Sequence, residues 1–292
     1  MRIGFMGFGE AARAFCDSLA PQGINFTAYD ILLGEESSAE AMRAAMRGRQ
    51  VTIAETPAGL RDADWIISAV TADQSLIAAR SLLPHLVQGQ VLIDLNSVSP
   101  GRKRETAAEV EAAGAVYLDM AVMAPVHPRG HRTPVLLAGK EADRLAEEMA
   151  TLGFNSRIVG EKTGAATAIK MVRSLFVKGL EAITVEALLA AEASGCFEEI
   201  LDSLSTSYPG LDLPKTAPYQ FERTLRHGAR RAAEMRESAA TLDALGLRGG
   251  LAAETAEIQQ RMGMAGKAVN PDEPGLRELV RTVLAARLAG TD

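Results

Sequence analysis

The chain has 292 residues, 47% of them hydrophobic, and a formal net charge of −6 at pH 7. This length favours two domains over a single core, and the acidic balance gives no reason to expect nucleic acid or an anionic membrane as a partner. Cys16 and Cys196 lie far apart without a metal-ligand pattern, so we expect neither a disulfide nor a metal site. The first residues lack the regions of a secretory signal, and no apolar run is long enough to span a membrane, which predicts a cytoplasmic protein.

The N-terminus reads as an apolar strand that runs into a glycine-rich turn and then a helix. The spacing of Gly7, Gly9 and Ala12 is typical of a dinucleotide-binding turn. Glycine permits a tight turn at the first position and close approach of a pyrophosphate at the second, and the small third residue lets the helix pack on the strand. The helix N-terminus would present N–H groups to the phosphates. The alternative is a turn that serves α/β packing alone. We assign to the cofactor site Gly7, Phe8, Gly9, Glu10 and Ala11.

A second apolar strand, residues 24–29, ends in Asp30, where an acidic side chain can bond both ribose hydroxyls of a dinucleotide. A carboxylate would repel a 2′-phosphate, and no basic residue follows it closely, so the sequence predicts NAD, with NADP less favoured. The alternative for Asp30 is a solvated carboxylate at a strand end. Val70 and Thr71, at the end of a strand predicted over residues 64–70, complete the predicted cofactor site.

Residues 1–160 alternate between short β-branched runs and helical stretches. This pattern predicts an α/β Rossmann-type domain with a doubly wound, mostly parallel sheet. The predicted strands cover residues 2–7, 24–29, 64–70, 90–95, 115–121, 134–138 and 155–159.

Residues 161–292 predict an all-helical domain for substrate binding and dimerisation. Residues 163–193 contain no proline and are apolar on nearly every face, which is typical of one long buried helix. Such a helix, without a closed core of its own, favours a homodimer in which a second copy covers it. Further helices are predicted over residues 196–207, 218–246, 250–264 and 274–289.

Three more segments carry patterns that bear on function. Asp94–Pro100 is similar to a known sequence motif, D-x-S-T-x-x-P. Asp119–Pro125 lies at the position that a second motif, the loop D-A-P-V-S-G-G, takes in proteins with the first. Gly164–Ser174 is similar to a helix in which a lysine precedes two asparagines. With the glycine-rich turn, these segments resemble the β-hydroxyacid dehydrogenase family, which contains the 3-hydroxyisobutyrate and 6-phosphogluconate dehydrogenases. The C-terminal part is similar to a less characterised branch of that family.

The resemblance implies that Asn96 and Ser97 lie between the nicotinamide and the substrate, with Asn96 touching both. The same stretch also reads as a helix start capped by Ser99. At the substrate loop the resemblance points to Val122, Met123 and Ala124. Here the chain departs from the family, because Met, Ala and Pro replace Ser-Gly-Gly. Since Pro125 has no N–H, a substrate carboxylate would be held differently or the substrate would be less polar.

Lys170 is the predicted catalytic residue. A lysine in an otherwise apolar helix is costly unless it is paired or functional, and burial favours the neutral amine that exchanges protons. It would take the hydroxyl proton while the carbon gives hydride to the nicotinamide, and would return the proton in the reverse direction. The alternative is a surface lysine that snorkels to solvent. Ser174 and Lys178 follow on the same helix face and are assigned to the substrate site.

Two basic segments are further candidates. Arg223, His227, Arg230 and Arg231 fall on one face of a later helix, where a substrate carboxylate or phosphate could bind. We assign His227 and Arg230 to the substrate site; the alternative is that Arg230 pairs with Glu234 on a solvated face. A proline-rich loop carries His127, Arg129, His131 and Arg132. This loop either lines the site or is merely solvated.

The sequence therefore predicts an NAD-dependent dehydrogenase acting on the CH–OH group of a small 3-hydroxy acid or related alcohol, with a carboxylate on the substrate. Two alternatives stay open. An imine or semialdehyde reductase is compatible with the altered substrate loop, and a non-catalytic dinucleotide-sensing module would leave Lys170 unexplained.

Overall fold

The computed structural model describes residues 1–272 and 275–289. The chain divides into two compact units, Met1–Met171 and Val172–Asp292. The first unit carries a sheet with helices and the second unit, where described, is helical. An α/β Rossmann-type domain followed by an all-α region is thus confirmed.

In chain order, the helices and strands of the first unit and the long helix that leaves it are β1 (Arg2–Met6), α1 (Glu10–Leu19), β2 (Asn25–Tyr29), α2 (Ala39–Arg47), β3 (Thr52–Ile53), β4 (Trp65–Ser68), α3 (Ser75–Leu82), β5 (Val91–Asp94), α4 (Pro100–Ala112), β6 (Val116–Val122), β7 (Val135–Ala138), α5 (Ala142–Thr151), β8 (Ser156–Gly160) and α6 (Ala165–Ala193). The remaining helices are α7 (Phe197–Ser207), α8 (Leu213–Ala244), α9 (Gly250–Ala265) and α10 (Leu276–Ala289).

The sheet has the strand order β3-β2-β1-β4-β5-β6-β7-β8. Every neighbouring pair is parallel except β6 and β7, which run antiparallel. The chain moves from β1 to one side through β2 and β3, then crosses to the other side of β1 at β4. This reversal leaves a crevice beyond the carboxyl ends of β1 and β4, which is where open α/β sheets bind ligands. Strands buried on both faces contain unbroken apolar runs, as in residues 65–67 of β4 and 91–93 of β5.

Apart from shifts of one or two residues at the ends of elements, two details of the secondary structure differ from the sequence prediction. Strand β3 was not predicted, because two residues are too short to show a hydrophobic period. Helix α8 begins at Leu213 instead of residue 218, so Pro218 lies inside the helix. A proline inside a helix removes one backbone hydrogen bond, and the sequence prediction therefore placed the helix start there.

The division between the two units lies inside α6, later than the expected boundary between residues 160 and 161. The first turns of α6 are tied to the sheet because Asp119 on β6 accepts a hydrogen bond from the Gly164 N–H. Ala166 also packs in a small apolar cluster with Ala121 and Leu136. These contacts make the start of α6 part of the sheet domain.

The helical unit has its own apolar core, which includes Val185, Phe221 and Met262. Helices α8 and α9 approach so closely that a Cβ on Gly228 would stand 2.2 Å from the Gln259 carbonyl oxygen. Side chains larger than hydrogen cannot fit at that crossing. Within the described part of the chain, no helix is both long and apolar enough to cross a membrane.

Candidate functional site

The glycine-rich turn after β1 has the backbone that its sequence predicts. Gly7 has a φ of +87°, and a Cβ there would lie 2.7 Å from the Ala69 carbonyl oxygen and from Val70 Cγ1. A Cβ on Gly9 would meet nothing within 4 Å, so the backbone is open on that side. Helix α1 starts directly afterwards and has no side-chain cap. The first turn of a helix has N–H groups without intrahelical partners, so the turn suits a pyrophosphate.

Asp30 lies at the end of β2 with only 8% of its surface exposed. Its Oδ2 accepts a hydrogen bond of 2.7 Å from the Phe8 N–H, and its Oδ1 accepts one of 3.0 Å from the Leu32 N–H. The Phe8 side chain is fully buried beside Phe5. The carboxylate thus holds the glycine-rich turn, which the sequence did not reveal. A carboxylate has about four acceptor positions, so the ribose contact of Asp30 stays a prediction.

Asn96 joins the ends of β4 and β5. Its Oδ1 accepts a hydrogen bond of 2.7 Å from the Val70 N–H, and its Nδ2 donates to Ser68 Oγ at 2.9 Å and to Ser75 Oγ at 3.2 Å. The side chain is 4% exposed. Its amide is therefore occupied by protein groups, which gives Asn96 a supporting role, and its direct contact with cofactor and substrate stays a prediction. Thr71, the other predicted residue at this strand end, is the N-cap of a short 3₁₀ turn.

Lys170 and Ser97 meet at the carboxyl edge of the sheet. The Lys170 Nζ donates a hydrogen bond of 2.6 Å to Ser97 Oγ, and both residues are partly buried. A chain of contacts leads from the glycine-rich turn to this pair, because Gly7 abuts Val70, and Val70 is bonded to Asn96, the neighbour of Ser97. The structure thus brings together the predicted cofactor turn and the predicted catalytic lysine in one unit.

A cluster of buried charged groups lies in the same sheet domain and was not predicted from the sequence. Lys103 and Asp119 are 0% exposed and Asp94 is 1% exposed. The Lys103 Nζ lies 3.0 Å from Asp94 Oδ1 and 3.6 Å from Asp119 Oδ1. The Tyr117 hydroxyl donates to Asp94 Oδ2 at 2.6 Å, and burial, with the nearby Asp94 charge, raises the pKa of Tyr117 well above its usual value. The one sequence signal was an aspartate in each of two consecutive predicted strands, with Asp94 at the end of β5 and Asp119 in the middle of β6.

The predicted substrate loop begins where β6 ends. Val122 is the last residue of that strand, and the Met123 N–H donates to the Pro134 carbonyl oxygen at 3.0 Å. Met123 also packs against the apolar cluster at the start of α6. Ala124 follows and is partly buried. With Met123 engaged and Pro125 lacking an N–H, two amides of the loop are not available to a substrate carboxylate.

The remaining predicted substrate residues belong to the helical unit. Lys178 is 6% exposed and forms an ion pair with Glu234, so its charge is satisfied inside that unit. Burial lowers the pKa of Lys178, and the Glu234 charge opposes this shift. Ser174 is 9% exposed, and His227 is partly buried.

The basic face predicted on α8 does not point in one direction. Arg231 is 8% exposed and pairs with the buried Glu181, whereas the Arg230 side chain is half exposed and lies 4.0 Å from Glu234. The contact between Arg230 and Glu234 is the alternative that the sequence left open. Positions three and four residues apart share a face, but adjacent positions such as 230 and 231 diverge by about 100° around a helix, because one turn takes about 3.6 residues.

The proline-rich loop after β6 is not solvated throughout, because one of its four basic residues is buried. His131 is 1% exposed, its Nδ1 lies 2.8 Å from Ser18 Oγ, and its ring packs edge-on against Phe154. Burial, followed by the Arg132 charge, lowers the pKa of His131. His131 therefore anchors the loop on α1, while His127, Arg129 and Arg132 are exposed.

Two family models match the chain. Residues 2–152 match the NAD binding domain of 6-phosphogluconate dehydrogenase, and residues 191–262 match a domain of unknown function (DUF1932). The first match spans the sheet domain from β1 to α5 and includes the glycine-rich turn, Asp30, Asn96 and Ser97.

Individual proteins show the same likeness. The structure of a conserved hypothetical protein from Sinorhizobium meliloti 1021 is 35% identical, with a TM-score of 0.73, and the match covers 98% of this chain and 96% of that one. An uncharacterized 28.5 kDa protein from Methanothermus fervidus is 27% identical over 205 residues, 70% of this chain and 76% of its own length. Human mitochondrial 3-hydroxyisobutyrate dehydrogenase is 28% identical over 156 residues, which are 52% of this chain but only 44% of that protein.

Proposed function

The chain belongs to the β-hydroxyacid dehydrogenase family, and we propose that it is an NAD-dependent oxidoreductase that moves hydride between the nicotinamide and a small 3-hydroxy acid or related alcohol. The observation that carries this proposal is the 2.6 Å contact between Lys170 Nζ and Ser97 Oγ at the carboxyl edge of the sheet. That contact is connected through Asn96 and Val70 to the glycine-rich turn.

The residues proposed to hold the cofactor surround the turn. Gly9 leaves the backbone open to the pyrophosphate, and Gly7 gives the turn its shape. A bound nicotinamide supplies the hydride acceptor or donor. The preference for NAD rests on the Asp30 carboxylate and on the segment that follows it, where residues 31–42 contain three glutamates and no basic residue. Negative charge at that place repels a 2′-phosphate. The other proposed contacts come from Phe8, Glu10, Ala11, Val70, Thr71 and Asn96.

Lys170 is the proposed general acid and base. In the oxidation direction, its neutral amine accepts the substrate hydroxyl proton as the carbonyl forms, and in reduction its ammonium returns that proton to the oxygen. Ser97 accepts a hydrogen bond from the lysine and so fixes the direction of the amine. The proposed substrate contacts from this unit are Asn96, Ser97, Val122, Met123 and Ala124. From the helical unit we propose Ser174, Lys178, His227 and Arg230; of these, Lys178 has the least support because Glu234 already pairs with it.

One observation favours a second candidate, an imine or semialdehyde reductase. The Met123 N–H is used by Pro134 and the next proline has no N–H, so the loop offers few amides to a carboxylate. An apolar imine or aldehyde needs fewer such donors. Lys170 would then act as the proton donor. A dinucleotide-sensing module, the third reading, predicts cofactor binding without turnover.

The test is an assay of a panel of substrates, in which turnover is measured by the absorbance of NADH. Purified protein is assayed with 3-hydroxy acids, sugar acid phosphates and simple alcohols, and in reverse with imines and semialdehydes, using NAD and NADP in parallel. We expect turnover of a 3-hydroxy acid with NAD. Turnover confined to imines would support the reductase, and tight NADH binding without turnover of any compound would support the sensing module.

We also propose that a second copy of the chain covers one face of α6. Val172, Phe176 and Ile183 are 55%, 73% and 62% exposed, and their spacing of four and seven residues places them on one side of the helix. Soluble monomers rarely expose large contiguous apolar patches. Light scattering should give the mass of a dimer, and Phe176→Glu should shift it to a monomer. Leu245→Glu, an exposed leucine after α8, is the control. A monomeric wild type would contradict this proposal.

A further inference from the structure

Lys103 is fully buried among acceptors that belong to two neighbouring strands, β5 and β6. Its Nζ donates to the Asp94 carbonyl oxygen at 2.6 Å and forms ion pairs with the carboxylates of Asp94 and Asp119. Burial of an ammonium group is costly unless its partners compensate for the lost water. The proposed proton transfer does not use Lys103, so its position requires another explanation.

Each of the two carboxylates fixes one half of the candidate site. Asp94 Oδ1 accepts a hydrogen bond of 2.9 Å from the N–H of Asn96, the residue before Ser97. Asp119 accepts hydrogen bonds from the N–H groups of Gly164 and Thr167, at 3.0 and 3.2 Å, and from the Thr167 hydroxyl at 2.7 Å. It thereby caps the N-terminus of α6.

The cap lies close to the catalytic candidate, because Thr167 is about one helical turn before Lys170. The start of α6 is also held against α4, the helix that carries Lys103. Gly164 has a φ of +94°, and a Cβ there would stand 3.0 Å from the Pro100 carbonyl oxygen, so a larger residue would be strained there. The ammonium of Lys103 is therefore the shared counter-ion of the loop that carries Ser97 and of the helix that carries Lys170.

We propose that Lys103 is a positioning residue that, through Asp94 and Asp119, sets Lys170 against Ser97. This inference rests on the proposed role of Lys170 as general acid and base. Without Lys103, the two carboxylates repel each other, and the loop and the helix lose their common anchor. A misplacement of about 1 Å at a reacting group can cost about 100-fold in rate.

Two variants test the inference, and a third variant serves as the matched control. Lys103→Met removes the ammonium, and Thr167→Val removes only the hydroxyl bond to Asp119. Thr184→Val is the control, because Thr184 is a buried threonine of the same helix whose hydroxyl bonds the Leu180 carbonyl oxygen of its own helix. We expect kcat to fall about 100-fold for Lys103→Met and about tenfold for Thr167→Val. The pH profile of kcat should also move in both, whereas the control should match the wild type.

A second readout does not depend on turnover. Lysine amines are labelled by reductive methylation with ¹³C, the signal of Lys170 is assigned with Lys170→Ala, and its titration is followed by NMR. The midpoint pH of the Lys170 titration should shift in Thr167→Val and should match the wild type in Thr184→Val. If Lys103→Met does not fold, Thr167→Val alone carries the test.

The outcomes separate the inference from the proposed function. Lack of turnover by the wild type defeats the proposed function, while the Lys170 titration still tests the positioning. If Lys170→Ala is inactive but Thr167→Val keeps the kcat, the pH profile and the Lys170 titration of the wild type, the inference is overturned. A shift of equal size in Thr184→Val would likewise overturn it, because the effect would not depend on Asp119.

Discussion

Asp30 accepts a hydrogen bond of 2.7 Å from the Phe8 N–H, so the carboxylate predicted to bind ribose also holds the turn predicted to bind phosphate. Asp30 additionally accepts from Leu32, and is almost completely buried. One side chain therefore both fixes the turn predicted to bind pyrophosphate and supplies a negative charge at the predicted ribose position.

Asp30→Ala should weaken both the fold and cofactor binding. The Phe8 N–H loses its acceptor, which costs about 1–3 kcal/mol for a buried donor. We expect the KM for NAD to rise about tenfold, which corresponds to a loss of about 1.4 kcal/mol in binding free energy. The preference for NAD over NADP should fall as well. Asp64→Ala is the control, because Asp64 accepts the Arg2 N–H at 2.7 Å at the other end of β1 but is exposed. Equal KM values in the two variants would contradict the role of Asp30.

The two glycines of the turn should fail in different ways when changed to alanine. Gly7→Ala forces a residue with a Cβ into a φ of +87° and against Val70, so the free protein should lose about 1–2 kcal/mol of stability or more. Gly9→Ala meets no protein atom within 4 Å, so the free protein should melt as the wild type does, but a methyl group would then occupy the side proposed for the pyrophosphate. Thermal unfolding without cofactor and an NADH titration measure the two effects. If Gly9→Ala binds NADH like the wild type, the phosphate is not bound there.

Lys178→Ala should destabilise the helical unit, since it leaves Glu234 in a mostly buried place without its lysine. Breaking a buried ion pair by removing one partner costs about 3–5 kcal/mol. Lys178→Ala with Glu234→Ala should cost less than the sum of the single changes, and urea unfolding of all four proteins measures this coupling. A Lys178→Ala protein of unchanged stability with a higher KM for substrate would instead support the substrate contact predicted from the sequence.

The stability of the sheet domain should depend on pH through His131. Burial lowers its pKa from the usual 6.5 in the folded state, so the fold favours the neutral ring. The corresponding stability is fully present above pH 6.5 and is lost as the pH falls through the lowered pKa. The melting temperature should therefore drop on acidification below pH 6.5, and His131→Gln should flatten that dependence. The exposed His127, changed to Gln, is the control. Identical slopes in all three proteins would exclude His131 as the cause.

Much of the fold and the cofactor turn could be predicted from sequence because both depend on local order. Apolar runs, glycine at Gly7 and Gly9, and a proline-free helix leave a pattern along the chain. The two-residue strand β3 leaves none, and the start of α8 was displaced because Pro218 is tolerated inside the helix. Lys170 was found through its family resemblance, and the structure places it beside Ser97, a residue predicted from a different segment.

The buried charges could not be predicted for a physical reason. A lysine that is 0% exposed and one on the surface look the same in a sequence, and the difference lies in partners that are distant along the chain. Lys103 meets Asp119 because β5 and β6 are neighbours, and Arg231, unlike Arg230, is buried because Glu181 of another helix pairs with it. Periodicity shows which face a residue shares, but not what that face meets.

The most direct test of the central claim is the turnover of Lys170→Ala at saturating cofactor and substrate. Lys140→Ala is the matched control, because Lys140 is an exposed lysine paired with Glu111 at the surface, following β7. We predict that Lys170→Ala lowers kcat by roughly 10²–10⁴-fold, binds NADH as the wild type does, and regains part of its rate when a small primary amine is added. A Lys170→Ala enzyme with the same kcat as Lys140→Ala would contradict the assignment of Lys170 as general acid and base.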